Sequence, residues 1–301
     1  MMSYQDPLVS LVTINFNQLE LTLSFLRSTR KLVYSNFEII VVDNASDKNP
    51  ASIISEEFPE VTVVCNQKNL GFAGGNNSGI KIAKGDYIFL VNNDTEVTPT
   101  LVNELVNTFD MYEDAGVVSP KFHYFFHPGT IEYAGYNKVH PLTGRNSMVG
   151  CREKDNGVYD MLTPTHYGHG GGMMISREVI DAAGLMPEFY FLYYEEFDWC
   201  NTIKKLGYRI YYQPKGLIYH KESMTTGKNS VLKTYYLTRN RILFMRRNES
   251  LFNNLLFLSY FMVFTIPKNT FSFLIKREWA HFKAFYRGIF WNVLNTKLTL
   301  I

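Results

Sequence analysis

The stretch Asp86–Val97 reads DYIFLVNNDTEV. Its apolar run, Tyr87–Val91, stops at Asn92-Asn93-Asp94, with Thr95 and Glu96 following. An unbroken apolar run of this length is the pattern of a parallel strand buried on both faces. Open α/β sheets bind ligands beyond the carboxyl ends of such strands, which is where Asp94 falls. A carboxylate flanked by amides suits a hard divalent cation held jointly with a substrate's phosphates. A plain polar turn closing a strand would give the same letters, so the neighbouring segments must discriminate.

Those segments alternate strand and helix. Leu8–Phe16 is β-branched and apolar, and Leu19, Leu23 and Leu26 give helical spacing over Leu19–Ser28. Phe37–Val42 is a second apolar run closed by Asp43, followed by a helical stretch Ala51–Phe58 after Pro50. Val61–Cys65 predicts a short strand, Asn76–Ala83 a short helix, Leu101–Tyr112 a longer helix and Gly116–Ser119 another strand. Single helices between strands imply right-handed crossovers, hence an α/β chain with a mainly parallel, Rossmann-like sheet and flanking helices. Phe122–His166 loses this rhythm and predicts an insertion of irregular antiparallel pieces. Beyond it, Gly168–Ser176 predicts a loop into a strand, Glu195–Leu206 a helix, and Arg209–His220 a strand–turn–strand about Pro214.

At 301 residues, 46% hydrophobic and 19% charged, the chain can bury a full core as one large domain or as one domain with an appendage. Cys65, Cys151 and Cys200 are scattered and lack metal spacing, which points to a reducing cytosol. The segment MMSYQDPLVSLVTINF has neither a basic n-region nor a small-residue cleavage site, so no secretory signal is expected there. Charge is uneven. Residues 1–227 carry 18 Lys+Arg against 26 Asp+Glu, whereas residues 228–301 carry 12 against 2, with 16 of the 46 aromatic residues. The expected division lies near Gly227, between an acidic body and a basic, aromatic helical arm.

Several clusters within the body could carry chemistry. Thr13, Asn15 and Asn17 end the first strand, and Asp43, Asn44 and Ser46 end the second, at the crevice of a doubly wound sheet. A carboxylate there can accept hydrogen bonds from a ribose or a pyrimidine N–H, although Asn, Asp and Ser are also ordinary turn residues. The absence of G-x-G-x-x-G after the first strand argues against a nicotinamide dehydrogenase. Asn69–Gly79, NLGFAGGNNSG, reads as a glycine-rich loop that lets backbone approach a ligand beside a helix N-terminus. His169–Met174, HGGGMM, could border an acceptor channel or form a flexible turn; His169 itself has no evident partner. Glu195, Glu196 and Asp198 open a helix after the aromatic run Phe189–Tyr194. The helix dipole favours acids there, and an apolar approach raises a carboxylate's pKa as a general base requires. His220 ends a strand, with Ser223, Thr225 and Thr226 after it, a set able to ligate a metal or bind a diphosphate.

In order and spacing, these pieces resemble glycosyltransferase family 2, the inverting enzymes of GT-A fold, and especially the bacterial rhamnosyltransferase-like branch. The motifs that carry the resemblance are VSLVTINFN (Val9–Asn17), IIVVDNASD (Ile39–Asp47), NLGFAGGNNSGI (Asn69–Ile80), FLVNNDTEV (Phe89–Val97), YYEEFDWCNTIKKLGYRI (Tyr193–Ile210) and YHKESMTT (Tyr219–Thr226), and it extends to Arg247. It implies a GT-A domain over 1–227, with a nucleotide-sugar-binding half over 1–98 and an acceptor-binding half over 99–227, and a separate arm over 228–301. The nucleotide-sugar residues would be Thr13, Asn15, Asn17, Asp43, Asn44, Gly71, Gly74, Asn76, Asn92, Asn93 and Asp94, with Asp43 on the nucleobase or ribose and the Gly71–Asn77 loop beside the nucleotide. Asn92-Asn93-Asp94 stands in for the family's DxD motif, with Asp94 and His220 on a divalent cation, Mg²⁺ or Mn²⁺. Glu196 falls at the catalytic-base position, supported by Glu195 and Asp198. Three departures stand out: Asn92 replaces the first DxD acid, the base is Glu rather than the commoner Asp, and the Arg usual after the acidic cluster is Asn201.

The implied reaction is transfer of a hexose, with inversion, from a nucleoside diphosphate sugar to a hydroxyl of a cell-surface polysaccharide or lipid-linked saccharide. The branch implies dTDP-rhamnose; galactose, glucose and N-acetylated donors are compatible alternatives. Two rivals differ in class. A catalytically silent sugar-nucleotide-binding or scaffold protein would not need the acidic cluster Glu195–Asp198. A nucleotidyltransferase would show a basic glycine-rich phosphate loop near its N-terminus, which VSLVTINFN lacks. The arm predicts a cytoplasmic protein lying peripherally on the inner face of the cell membrane, or else a dimer interface; the acidic body argues against nucleic acid. Leu251–Ile266 is interrupted by Asn253-Asn254 and ends at Pro267-Lys268, so its apolar run is expected to fall short of the roughly 20 residues that a spanning helix needs.

Overall fold

Ten strands form one mixed sheet in the computed structural model, which describes residues 6–221 and 230–296. The strands are β1 (Val9–Asn15), β2 (Phe37–Asp43), β3 (Thr62–Cys65), β4 (Tyr87–Val91), β5 (Thr95–Val97), β6 (Ala115–Tyr124), β7 (Ile131–Tyr133), β8 (Thr163–Thr165), β9 (Gly172–Ser176) and β10 (Arg209–His220). Their order is β3-β2-β1-β4-β9-β6-β10-β5, with β7 added to β6 and β8 to β10. The first four are mutually parallel, and β9 enters antiparallel between β4 and β6. Because β1 pairs with β2 on one side and β4 on the other, the strand order reverses at β1. A doubly wound sheet opens a crevice at such a reversal.

Alternate side chains of these strands enter two cores. Val12, Ile40, Val42, Ile88 and Leu90 face one layer, while Leu11, Ile39, Val41, Phe89 and Val91 face the other. Burying each such side chain contributes about 1.5–3 kcal/mol, which is why the runs are apolar throughout rather than alternating. Helices α1 (Leu19–Thr29), α2 (Ala51–Glu57) and, further along, α4 (Leu101–Met111) cover the second layer. The first is covered by α3 (Gly71–Ile80) and α6 (Glu195–Lys205), with α5 (Arg177–Ala183) beside them.

Three local expectations are corrected. The glycine-rich segment is not a loop before a helix: Gly71 itself begins α3. Glycine is a poor helix former, but here close packing overrides propensity. A Cβ on Gly79 would lie 2.3 Å from Val12 Cγ1, and one on Gly71, whose φ is +73°, 2.2 Å from the Phe191 carbonyl oxygen. Arg209–His220 is a single strand, with a register shift between Gln213 and Leu217 in place of a turn. The expected interruption of Leu251–Ile266 is also absent. Helix α8 (Leu251–Tyr260), a π-turn (Phe261–Thr265) and α9 (Ile266–Ile275) run as one helix of 25 residues, long and apolar enough to cross a membrane. The π-turn precedes Pro267 and accommodates its missing N–H.

Helix α7 (Val231–Asn248) packs into the first core through Ile242, Leu243, Phe244 and Met245, and α10 (Trp279–Leu294) packs on α7. The division expected near Gly227, and with it Ser223, Thr225 and Thr226, lies outside the described residues.

Candidate active site

The carboxyl ends of β1, β2 and β4 are tied together by side chains. Asn15 Nδ2 donates to Asp43 Oδ1 (2.8 Å), the Thr22 hydroxyl donates to Asn15 Oδ1 (2.9 Å), and Asn93 Nδ2 donates to Thr22 Oγ1 (2.9 Å). Asp43 also accepts from the Ser46 hydroxyl (2.6 Å) and the Ser46 N–H (3.0 Å). Thr13 lies within β1, its buried hydroxyl unpartnered among the described residues, and Asn17 is exposed at the rim, accepting from the Asp47 N–H. Asn44 donates to the Gly71 carbonyl (3.0 Å) and accepts from the Leu70 N–H (3.0 Å), fixing the start of α3. Gly74 packs on Leu70, and the Asn76 side chain donates to the Phe72 carbonyl inside the helix.

Asp94 and His220 are brought together by the antiparallel pairing of β5 with β10, in which His220 faces Thr95. His220 Nε2 lies 3.2 Å from Asp94 Oδ1, and its Nδ1 lies 2.8 Å from Glu132 Oε2 on β7. Burial alone would lower the imidazole's pKa; hydrogen bonds to Asp94 and Glu132 overcome it and raise it to about 10. Both ring nitrogens therefore donate to carboxylates at neutral pH. The donor set fits half of a hard-cation site. Asp94 and the Nε2 of a deprotonated His220 supply two ligands, Glu132 orients the ring from behind, and among the described residues no cluster of three metal-ligating side chains completes a cage. Such a half-site suits a cation whose other donors come from a diphosphate and water.

A cleft of about 480 Å³ opens at these strand ends, within the usual range for small-molecule sites. It is lined by Asn44, Gly71, Asn92, Asn93, Asp94 and His220, and by Gly170, Gly171, Glu195 and Glu196. Pairing of Gly172 with Val91 carries the glycine run to the end of β4, where the Asn92 N–H donates to the Gly171 carbonyl (3.0 Å). His169 lies in the cleft, its Nδ1 accepting from the Gly171 N–H (3.0 Å); burial and then the neighbouring His220 hold its pKa down to about 3.

Glu195 and Glu196 begin α6, directly after a backbone that few residues tolerate. Phe191, Tyr193 and Tyr194 have φ of +64°, +71° and +75°. Each such bulky residue in the left-handed region stores about 1–3 kcal/mol, so the surroundings must hold it. They do so from α7. Asn240 Nδ2 donates to the carbonyls of Tyr190 (2.9 Å), Leu192 (2.7 Å) and Tyr193 (2.8 Å), and Arg239 donates to those of Phe189 (2.7 Å) and Tyr190 (2.5 Å). Burial raises the Glu196 carboxyl to about 7, and it faces Gly170, where an added Cβ would lie 3.7 Å from Glu196 Oε1. Burial followed by the charge of Glu196 raises Glu195 well above the ordinary range, and its Oε2 has no partner among the described residues. Asp198 faces away from the cleft, paired with Arg247 (3.2 Å) and Asn248 (2.5 Å). A guanidinium thus reaches the acidic cluster from α7, while Asn201 hydrogen-bonds Asn248 (3.0 Å).

Sequence reasoning missed Glu132, Arg239 and Asn240, and also Tyr136 and Lys233, which line the cleft. Glu132 and Tyr136 lie in the segment without periodicity, and the other three lie in the arm. The RNR triplet Arg239–Arg241 is a visible signal there, because charged and amide residues on a packed helix need buried partners.

The profile of glycosyl transferase family 2 matches residues 10–184. The low-salt glycan biosynthesis hexosyltransferase Agl10 of Haloferax volcanii is 25% identical over 68% of this chain and 66% of its own. The dTDP-rhamnosyl transferase RfbF of Shigella flexneri is 26% identical over 73% of this chain and 74% of its own. The chain spans only 27% of a longer relative, the uncharacterized protein y4gI of Sinorhizobium fredii. Among solved structures, that of GalNAc-T7 with UDP, GalNAc and Mn²⁺ superposes with a TM-score of 0.60 at 16% identity, over 77% of this chain and 47% of that one. That likeness shows the fold, the mixed α/β GT-A architecture. With more than half of its length matched by the family profile, the chain belongs to glycosyl transferase family 2.

Proposed function

We propose that the protein is an inverting hexosyltransferase that moves a sugar from a nucleoside diphosphate donor to an acceptor hydroxyl in polysaccharide assembly. The observation that carries this reading is the placement of Glu196. Its carboxyl, raised to about 7, shares one cleft with Asp94, His220 and the ends of the parallel strands. A base near neutrality can take a hydroxyl proton without being protonated itself at working pH. The acceptor oxygen then attacks the anomeric carbon as the bond to the diphosphate breaks, and the electron pair leaves with the diphosphate. A single displacement of this kind inverts the anomeric centre.

The chain's residues divide the work by position. Asp43 and Asn44 lie where the nucleoside would enter, beside Gly71. Asp94 and His220 would hold a divalent cation, which when bound supplies Lewis-acid neutralisation of the leaving diphosphate. His220 must release its proton for this, so metal affinity rises with pH. Lys233 lies at the cleft wall with its ammonium over the Tyr193 ring (5.8 Å), and it offers a further positive charge to phosphate. The kinship with RfbF supports dTDP-rhamnose as donor, and that with Agl10 supports a glycan acceptor. A silent binding protein would have no use for a base held by a strained, clamped loop.

A thermal-shift screen of nucleoside diphosphate sugars with Mn²⁺ or Mg²⁺ identifies the donor, because binding to the native state alone raises the melting temperature by mass action. NMR of the product made with that donor should show inverted anomeric configuration. Retention, or donor binding with neither transfer nor hydrolysis, rejects the proposal.

A further inference from the structure

The last three helices expose an apolar surface where a surface helix is normally polar. From Leu251 to Ile275 one side is buried against the body through Phe257, Phe261 and Thr265, and the Arg241 guanidinium lies 5.5 and 5.2 Å from the two rings. Much of the rest is apolar and open to solvent: Phe252, Leu255, Met262, Val263, Phe264 and Phe271 are all more than half exposed. A broad apolar face left open to water calls for an apolar partner or medium, and the chain covers only a narrow side of this helix.

Charge and topology say which medium. Exposed Lys268, Lys276 and Arg277 lie on or directly after this helix, and exposed Lys283 lies on the helix that follows it, within an arm that carries 12 basic residues against 2 acidic ones. A second copy would set these like charges close together, whereas an anionic lipid surface complements them. The helix is also tied at both ends. It leaves α7 through Glu249-Ser250, and after Lys276–Glu278 the chain turns back as α10, which packs on α7 so closely that a Cβ on Gly288 would come within 2.9 Å of the Tyr235 carbonyl oxygen. Crossing a bilayer would draw Lys276, Arg277 and the basic return helix through hydrocarbon. That return helix, at 16 residues, is about 24 Å long, short of the roughly 30 Å core.

We propose that the outward face of Leu251–Ile275, with the neighbouring Trp279, lies in the plane of an anionic membrane at the boundary of headgroups and acyl chains. Basic residues then meet lipid phosphates while Met262, Val263 and Phe264 enter the apolar layer. This seat does not depend on the transfer reaction proposed above, and it is tested without it.

The full chain is floated with phosphatidylglycerol–phosphatidylcholine vesicles and with phosphatidylcholine vesicles, at low and high salt. Flotation with anionic vesicles is expected, weakened but not abolished by salt. Met262→Glu with Val263→Glu should lower the bound fraction about tenfold or more, since a charge cannot follow its neighbours into the acyl layer. A milder pair, Met262→Ser with Val263→Ser, with a melting temperature equal to that of the starting protein, guards against misfolding and should lower binding to a lesser degree. Lys276→Glu with Arg277→Glu should remove the preference for anionic vesicles. Absence of flotation overturns the proposal, as does binding abolished by salt or unchanged by the glutamates. Retention in carbonate-washed cell membranes would mean a spanning helix, and a solution dimer dispersed by Met262→Glu would mean a second copy; either result also overturns it.

Discussion

Asn240 donates to the carbonyl oxygen of Tyr193 at 2.8 Å, three positions before Glu196, from a fully buried site on a helix 47 residues further along the chain. The same amide reaches Leu192 and Tyr190, so one side chain holds the left-handed turn that aims the candidate base. Asn240→Ala would take this donor from the Leu192 and Tyr193 carbonyls, at about 1–3 kcal/mol for each group that water cannot reach, while Tyr190 keeps its bond from Arg239. We expect urea denaturation to show a loss of about 2–3 kcal/mol. We also expect a fall in kcat larger than any rise in the KM for donor, because the nucleotide side of the cleft does not touch Asn240. Equal changes in both constants would deny it a positioning role.

Glu196→Gln keeps the shape of the side chain and removes its proton affinity. Donor binding should persist while transfer falls by roughly 10²–10⁴-fold. The pH profile supplies an independent check. Burial holds this carboxyl at about 7, above the ordinary carboxylate range, so the ionised base is lost as pH falls through 7. With the divalent cation saturating at every pH, the kcat/KM for transfer should drop tenfold per unit below that point and level off above it. A limb near pH 4 would assign the proton transfer to a different group.

Asp94 and Glu132 flank His220 and should separate in a metal titration. Asp94→Ala removes the carboxylate of the half-site, and calorimetry should show no metal-dependent donor binding. Glu132→Gln leaves both proposed ligands in place but loosens the ring, which should weaken Mn²⁺ affinity about 10–100-fold. Unchanged metal affinity in both variants would exclude the site.

Asp43 holds Asn15 and Ser46 at the mouth of the sheet. If it meets the nucleoside, Asp43→Ala should weaken free nucleoside diphosphate as much as the sugar-bearing donor. A loss confined to the donor would move Asp43 to the sugar.

Gly170→Ala places a methyl beside the Glu196 carboxyl with ordinary van der Waals spacing, so the fold should tolerate it. If the glycine run borders the acceptor path, transfer should fall while donor affinity in the thermal-shift assay is unchanged. Unaltered transfer would place the acceptor elsewhere.

Local patterns made much of this molecule legible. The apolar runs of β1, β2 and β4 and the acids at the start of α6 stand in the sequence as they stand in the fold, because strand burial and helix-end charge act within a few residues. Asn92-Asn93-Asp94 was visible for the same reason. The start of α3 was not, since its glycines predict a loop until Val12 and Phe191 are known to lie against them.

The sequence by itself determined the layered α/β architecture, the polar strand ends that border the cleft and the basic character of the arm. Only the tertiary structure decided which polar groups meet. His220 finds Glu132 and Asp94 across 88 and 126 positions, and Asn240 finds the backbone of a strained turn in another part of the chain. Backbone periodicity is written in neighbouring residues, whereas a buried polar side chain takes whichever partner the strand order brings within hydrogen-bonding distance. The long apolar helix shows the same limit. Its letters predict an apolar run broken at Asn253-Asn254 and Pro267, and only the tertiary structure shows one continuous helix of 25 residues, followed by the return of α10 onto α7.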